Sequence, residues 1–238
     1  MATDARTKKE KVWLYIVVPV ILFNALPLFV FGAFFAAAFQ RSGGSDAFSN
    51  VDTAQPLFWL YVGIAILNLG MALFVIAKLN REGTSIAELL APGGRIFQFE
   101  WKPDILLFIA FNLIFALYIA GYILLTGQWP SYRGLDDWQR IIFIVLFPIL
   151  AGFAEELFWR GFIIRRLQSQ GHTARRAIMF SAIGFALIHG VYMPDKLLIT
   201  FLIGLLNGFY YVREQRLVPL MFAHAFVDTW TFGLSLFL

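Results

Sequence analysis

Three short strings in the second half of the chain hold the residues best able to do chemistry. They are Glu155-Glu156-Leu157-Phe158-Trp159-Arg160, Phe185-Ala186-Leu187-Ile188-His189 and His224-Ala225-Phe226-Val227-Asp228. Residues four apart on an α-helix share a face, so Glu156 can pair with Arg160, and the same spacing joins Phe185 to His189 and His224 to Asp228. Glu155 points about 100° away from Glu156, which frees the two neighbouring carboxylates to differ in role. Beside Arg160, Glu156 stays ionised, and Glu155 is the candidate proton acceptor.

These strings are set in a chain of 238 residues that is 60% apolar and only 14% charged, with a mean hydropathy of +0.73. Soluble domains are roughly half apolar and about a quarter charged, so the excess must face lipid. Seven apolar runs approach the ~20 residues that a helix needs to cross a bilayer. They cover residues 12–39, 57–77, 105–125, 141–164, 177–193, 197–212 and 217–238. The turn Met193-Pro194-Asp195 divides the fifth from the sixth. The expected fold is therefore all-α, a polytopic transmembrane bundle of about seven spans, with eight as the variant. It forms a single membrane domain over 1–238 whose motif-bearing core is about 140–230.

Pro19, Pro27 and Pro148 fall inside runs, where membrane helices accept them as kinks. Trp13, Trp59, Trp101, Trp129 and Trp138 fall near run ends, as an interfacial belt requires. The first run is too long for a signal-peptide core and reads as a retained span. Residues 83–91, in the long loop 78–104, are expected to form a short interfacial helix.

Charge placement orients the bundle. Segments 1–11, 78–104, 165–176 and 213–216 carry 14 of the 19 Lys and Arg residues. The other side holds Arg41, Arg133, Arg140 and Lys196, and Arg160 lies within a run. This bias predicts a cytoplasmic N-terminus and an external C-terminus. Arg165, Arg166, Arg175 and Arg176 read as a positive-inside anchor that can also meet anionic lipid. Gly204 and Gly208 form a small-residue spacing suited to close helix packing, with Asn207 beside them for packing hydrogen bonds.

Among all Lys, Arg, Asp and Glu residues, only Glu155, Glu156, Arg160 and Asp228 fall inside the runs, joined by His189 and His224. Such groups at membrane depth face the protein interior and are functional candidates. Their depths agree. Glu155 lies about 15 Å above Arg165, His189 roughly 20 Å above Arg176, and His224 and Asp228 about 12 and 18 Å above Arg216. Three helices thus place their polar residues in one slab near mid-membrane.

The ordered pattern EExxxR, FxxxH, Hxxx(N/D) resembles that of the CPBP (Abi/CAAX protease) family of intramembrane endopeptidases, which includes the Ras-converting CAAX endopeptidase and bacteriocin-immunity proteins. The resemblance covers about residues 140–230, and the first 135 or so residues carry no motif. It implies that Glu155 and His189 polarise a water, with Glu156 at the site, and that His224 and Asp228 bind a metal or stabilise the oxyanion. A divalent metal such as zinc, held by Glu155, His189, His224 and Asp228, is one form of this chemistry. Hydrogen-bond donors around a metal-free water are the other. Asp228 stands where many members carry Asn. An ionised aspartate cannot donate to an oxyanion, so it is expected to orient His224 or ligate the metal.

The implied activity is an intramembrane peptidase cleaving peptides or membrane-associated, including lipid-modified, proteins. The implied location is a bacterial inner membrane. The expected partners are membrane lipid and a peptide or membrane-protein substrate; a charge of +4 gives no nucleic-acid signature. The alternatives are a non-catalytic immunity or scaffold protein of the same fold, or a proton-coupled transporter. With no cysteine, thiol nucleophiles and cysteine-ligated zinc are excluded. HExxH, GxGD and GxSG motifs are missing from the sequence, and Ser181 lacks a nucleophile's context.

Overall fold

A computed structural model of the chain describes residues 11–42, 54–92, 94, 96–127, 134–191 and 194–237. Segment 1–10, Arg95, Trp129, Arg133, Met193 and Leu238, invoked above, lie outside the described residues. All seven apolar runs form helices, and no strand occurs among the described residues. In chain order the helices are α1 (Val12–Ser42), α2 (Ala54–Arg81), α3 (Ile86–Leu90), α4 (Trp101–Thr126) and the continuous α5 (Asp137–Ser169). They continue with α6 (Ala174–Ile188), α7 (Pro194–Glu214) and α8 (Val218–Phe237).

Length and composition mark five of these as able to cross a membrane: α1, α2, α4, α5 and α7. The two remaining runs are less complete as spans than the sequence suggested. Helix α6 has only 15 residues, short of the ~20 that a crossing needs. Helix α8 has 20, but His224 and Asp228 interrupt its apolar character. Both pack within the bundle. Exposed Leu28, Phe29, Leu106, Leu117 and Phe222 dress the outer surface, a coat suited to lipid and not to water. Trp13, Trp59, Trp101 and Trp138 are exposed near helix ends, where the belt was expected. The chain is an integral membrane helical bundle.

Seven helices close a ring. Helix α1 packs on α2 and α6, α2 on α5, α5 on α8, α8 on α4, α4 on α7, and α7 on α6. The tightest seam, α6 against α7, depends on glycine. A Cβ on Gly204 would lie 2.9 Å from the Cα of Ala182, and one on Gly208 would lie 2.8 Å from Ile178. The sequence reading of this pair as a packing seam therefore holds.

Helix α5 departs from regular α geometry twice, at Ile142–Leu146 and Glu156–Ile164, where the chain adopts the wider π form. Such segments bond i to i+5 and often occur at functional sites. The second begins at Glu156, so the α-helical angular step assumed for the EExxxR string does not run through it. Every residue of this segment is buried, and Ser181 donates to the Trp159 carbonyl at 2.8 Å. Ser181 is thus a packing residue that satisfies backbone inside the bundle.

The arginine-rich end of the bundle is largely filled, with a small cleft of about 160 Å³ beside Gly161 and Arg165. Val75, Leu79, Leu157, Ile164, Leu167, Tyr211 and Leu217 form one buried cluster there. Helix α3, the short helix expected in 83–91, closes it. Ser85 caps α3 by accepting from Glu88 N, Leu89 is buried, and Leu217 N donates to Leu90 O at 2.8 Å.

Arg216, counted among the cations of the cytoplasmic side, is 1% exposed. It grips Asp104 with two nitrogens at 2.9 and 2.6 Å and donates to Gln98 O at 2.7 Å, while Tyr210 also donates to Asp104. The two planar groups match each other, so Arg216 and Asp104 form a bidentate clamp.

Candidate active site

Glu155 is the last residue before the second π segment, and Glu156 is its first. Both are buried, but they face different partners. Glu156 Oε1 collects three donors: Arg160 Nη1 at 3.1 Å, Asn207 Nδ2 at 3.0 Å and His224 Nδ1 at 2.9 Å. Arg160, fully buried, also lies 4.1 Å over the Phe185 ring. Glu156 therefore ties together α5, α7 and α8.

Glu155 Oε1 accepts from Asn68 Nδ2 at 3.1 Å. Its other oxygen, Oε2, is buried without a hydrogen-bond partner among the described residues. Facing that oxygen are His189 Nε2 at 3.8 Å and His224 Nε2 at 3.9 Å. Asp228 Oδ2 stands 3.6 Å from His224 Nε2. These gaps are too long for direct hydrogen bonds, yet short enough for one small species to bridge them.

Both histidines are held from behind. His189 follows the end of α6, and its Nδ1 meets Phe185 O at 2.7 Å. A carbonyl only accepts, so Nδ1 carries the hydrogen. His224 Nδ1 is engaged likewise by the Glu156 carboxylate. Each ring therefore turns Nε2 toward Glu155. The i, i+4 spacing of Phe185 and His189 serves to aim the ring. At His224 the orienting group is Glu156 and not Asp228, whose separation exceeds hydrogen-bond length.

All five residues expected at the site thus converge: Glu155, Glu156, His189, His224 and Asp228. Two further residues come from the part of the chain without motifs. Asn68 of α2 fixes Glu155. Asn24 of α1 donates to Leu187 O at 2.7 Å and accepts from Val191 N at 3.0 Å, clasping the turn that carries His189. The signal available in sequence was a lone amide inside an apolar run, with Asn24 between Pro19 and Pro27. Asn207, named only for packing, holds Glu156.

A cavity of about 780 Å³ opens onto Glu155, His189, His224 and Asp228 and is walled mainly by aromatic and aliphatic side chains of all seven ring helices. Apolar volume with a few convergent polar groups is the usual form of a ligand site.

Residues 137–230 match a family model described as "Type II CAAX prenyl endopeptidase Rce1-like". Over these residues the chain is similar to the CAAX-protease family. No curated protein and no solved structure matches the chain. The matched segment runs from α5 into α8, so it contains every motif residue of the cluster but neither Asn24 nor Asn68. In this protein two asparagines from outside the matched segment hold its site residues.

Proposed function

We propose that the protein is an intramembrane endopeptidase that hydrolyses a peptide bond with a water activated by Glu155. The observation that carries this is the unpartnered Glu155 Oε2, buried and faced at 3.8 and 3.9 Å by His189 Nε2 and His224 Nε2. A water between them would lie within hydrogen-bond reach of all three.

Glu155 takes a proton from that water as its oxygen bonds to the scissile carbonyl carbon, and the carbonyl electron pair moves onto oxygen. In its imidazolium form His224 donates Nε2–H to that oxyanion, with Glu156 holding the ring in place. The oxyanion collapses, the C–N bond breaks, and the proton held by Glu155 passes to the departing nitrogen. The products are a carboxylate and an amine.

The same residues suit a divalent cation in their donor chemistry. Two imidazoles present Nε2 with Nδ1 engaged, the arrangement that usually backs metal-bound histidines, and Glu155 Oε2 lacks a partner. Tetrahedral zinc ligands stand about 3.3–3.6 Å apart, a few tenths less than most of these separations. Among the described residues no three such groups already form a metal-binding set. Glu155, His189 and His224, with Asp228 beside them, would hold the ion, which would acidify the water and polarise the carbonyl.

The proposed substrate is a peptide or membrane-associated protein segment, and the proposed orientation puts the arginine-rich helix ends in the cytoplasm. The deciding experiment is cleavage of a membrane-peptide library by purified protein and by Glu155→Gln, before and after chelation. Loss of cleavage in the variant supports the reading, and equal cleavage refutes it.

A further inference from the structure

The cavity occupies one half of the bundle. Its lining is Phe23 to Phe31 on α1, Leu57 to Asn68 on α2, Phe111 to Tyr122 on α4, Phe147 to Glu155 on α5, Lys196 to Ile203 on α7 and His224 to Ser235 on α8. On every one of these helices the lining begins near the middle and runs toward the end that carries few cations. Helix α6 contributes only Phe185, Ile188 and His189, at that same end. Toward the other end, marked by Lys78, Arg81, Arg165, Arg166, Arg175 and Arg176, the buried cluster and α3 take up most of the space and leave a cleft of about 160 Å³.

The outer halves of α1 and α4 are loosely packed. Within the described residues, α1 has no buried residue after Phe23 and α4 none after Phe111. Leu28 lines the cavity and is 75% exposed, so the cavity reaches the surface there. Among the lining residues Lys196 is the lone Lys or Arg. The carboxylates of the lining, Glu155 and Asp228, sit at the deep end beside the histidines.

We infer that the site is reached from the membrane side opposite the arginine-rich helix ends, and that it admits a peptide segment bearing large apolar side chains whose charge, near Lys196, is negative or zero. Arginine-rich ends face the cytoplasm, so the segment comes from the exocytoplasmic side. The aromatic and aliphatic wall accepts the apolar side chains. A cationic segment would bring like charge against Lys196 in a low-dielectric space, where repulsion is strong. The inference rests on the peptidase reading only in taking the occupant to be a peptide; the side of access follows from the cavity together with the proposed orientation.

The absence of cysteine from the chain makes single-cysteine labelling clean. Ser235→Cys places a thiol in the cavity wall, and Thr200→Cys does so on α7. Ser169→Cys marks the arginine-rich end, where Ser169 is exposed. The probe is a membrane-impermeant maleimide applied to right-side-out cells and to inverted vesicles, with size-exclusion profiles confirming that each variant is folded. The expected result is labelling of the two cavity variants in cells and its loss in inverted vesicles, with Ser169→Cys showing the reverse.

Labelling of cavity and Ser169 variants from the same side overturns the inference. So does a cavity thiol that reacts from neither side yet labels fully once denatured. These readouts need no catalysis, so a protein that labels as expected but cleaves nothing would refute the peptidase reading and leave the side of access standing. Lys196→Glu completes the test: it should shift preference from acidic toward basic peptides in the cleavage library. An unchanged preference overturns the charge assignment.

Discussion

His224 Nδ1 lies 2.9 Å from Glu156 Oε1, while Nε2 of the same ring looks across 3.9 Å to Glu155 Oε2. One imidazole thus separates two carboxylates that are adjacent in sequence. The first acts from behind, and the second faces the space where a reacting atom would sit. The different roles proposed for Glu155 and Glu156 follow from this arrangement.

Glu155→Gln keeps size and can still bond Asn68, but it removes the proton acceptor. The expected outcome is a folded, correctly inserted protein with cleavage lowered by about 10²–10⁴-fold, the usual worth of a general base. Single-turnover cleavage beside a thermal melt in detergent checks it. Normal cleavage would exclude Glu155 as the base.

Glu156→Gln strips Arg160 of its charge partner and loosens His224. Breaking a buried pair from one side costs about 3–5 kcal/mol, so Tm in detergent should fall along with activity. The double variant Glu156→Gln/Arg160→Gln should regain part of that Tm, less the contact of Arg160 with Phe185, and should remain inactive. A Glu156→Gln protein that is stable yet dead, beside a Glu155→Gln protein that cleaves, would reverse the two assignments.

Asn24→Leu removes both hydrogen bonds that clasp the turn before and after His189. The Leu187 carbonyl is half-buried and Val191 is exposed, so the loss in stability should be at most about 1 kcal/mol, the net worth of an ordinary hydrogen bond, while the His189 ring loses its fixed aim. Cleavage should fall further than stability alone explains. Comparing kcat at a temperature well below the Tm of each protein separates the two effects.

Gly152→Ala tests the seat of His224. An added Cβ would stand 2.7 Å from Met221 O and 2.9 Å from Ala225 N, both backbone atoms of α8 flanking His224. Over-packing of this kind costs about 1–3 kcal/mol. The expected outcome is lower Tm together with reduced activity. Gly121→Ala, where nothing lies within 4 Å, should change neither.

Topology gives a check that needs no activity. Reporters inserted after Arg175 or Arg213 should read as cytoplasmic, and one after Gly127 as external, as the distribution of Lys and Arg requires. Swapped signals would mean that the orientation is inverted.

Much of this protein was legible before any coordinates. Apolar run length marked where the helices are, because a chain in lipid must satisfy its backbone internally and a helix does so within one segment. The few ionisable residues inside those runs marked the cluster, because burial in lipid excludes such groups unless they face partners. What tertiary structure decided was how the cluster is divided.

Spacing alone paired Glu156 with Arg160. It could not show that Asn207 and His224 share the same oxygen, because those contacts join helices far apart in sequence. Nor could it find the roles of Asn68 and Asn24, since an amide in an apolar run has no motif until its partner is known. The π segment starting at Glu156 was hidden because i to i+5 bonding leaves no periodic trace in nine buried residues. The half of the bundle that is hollow was equally hidden: side-chain packing decides it, the arginine-rich end being largely filled by α3 and the buried cluster and the opposite end left hollow, where α1 and α4 bury no residue beyond Phe23 and Phe111 among the described residues.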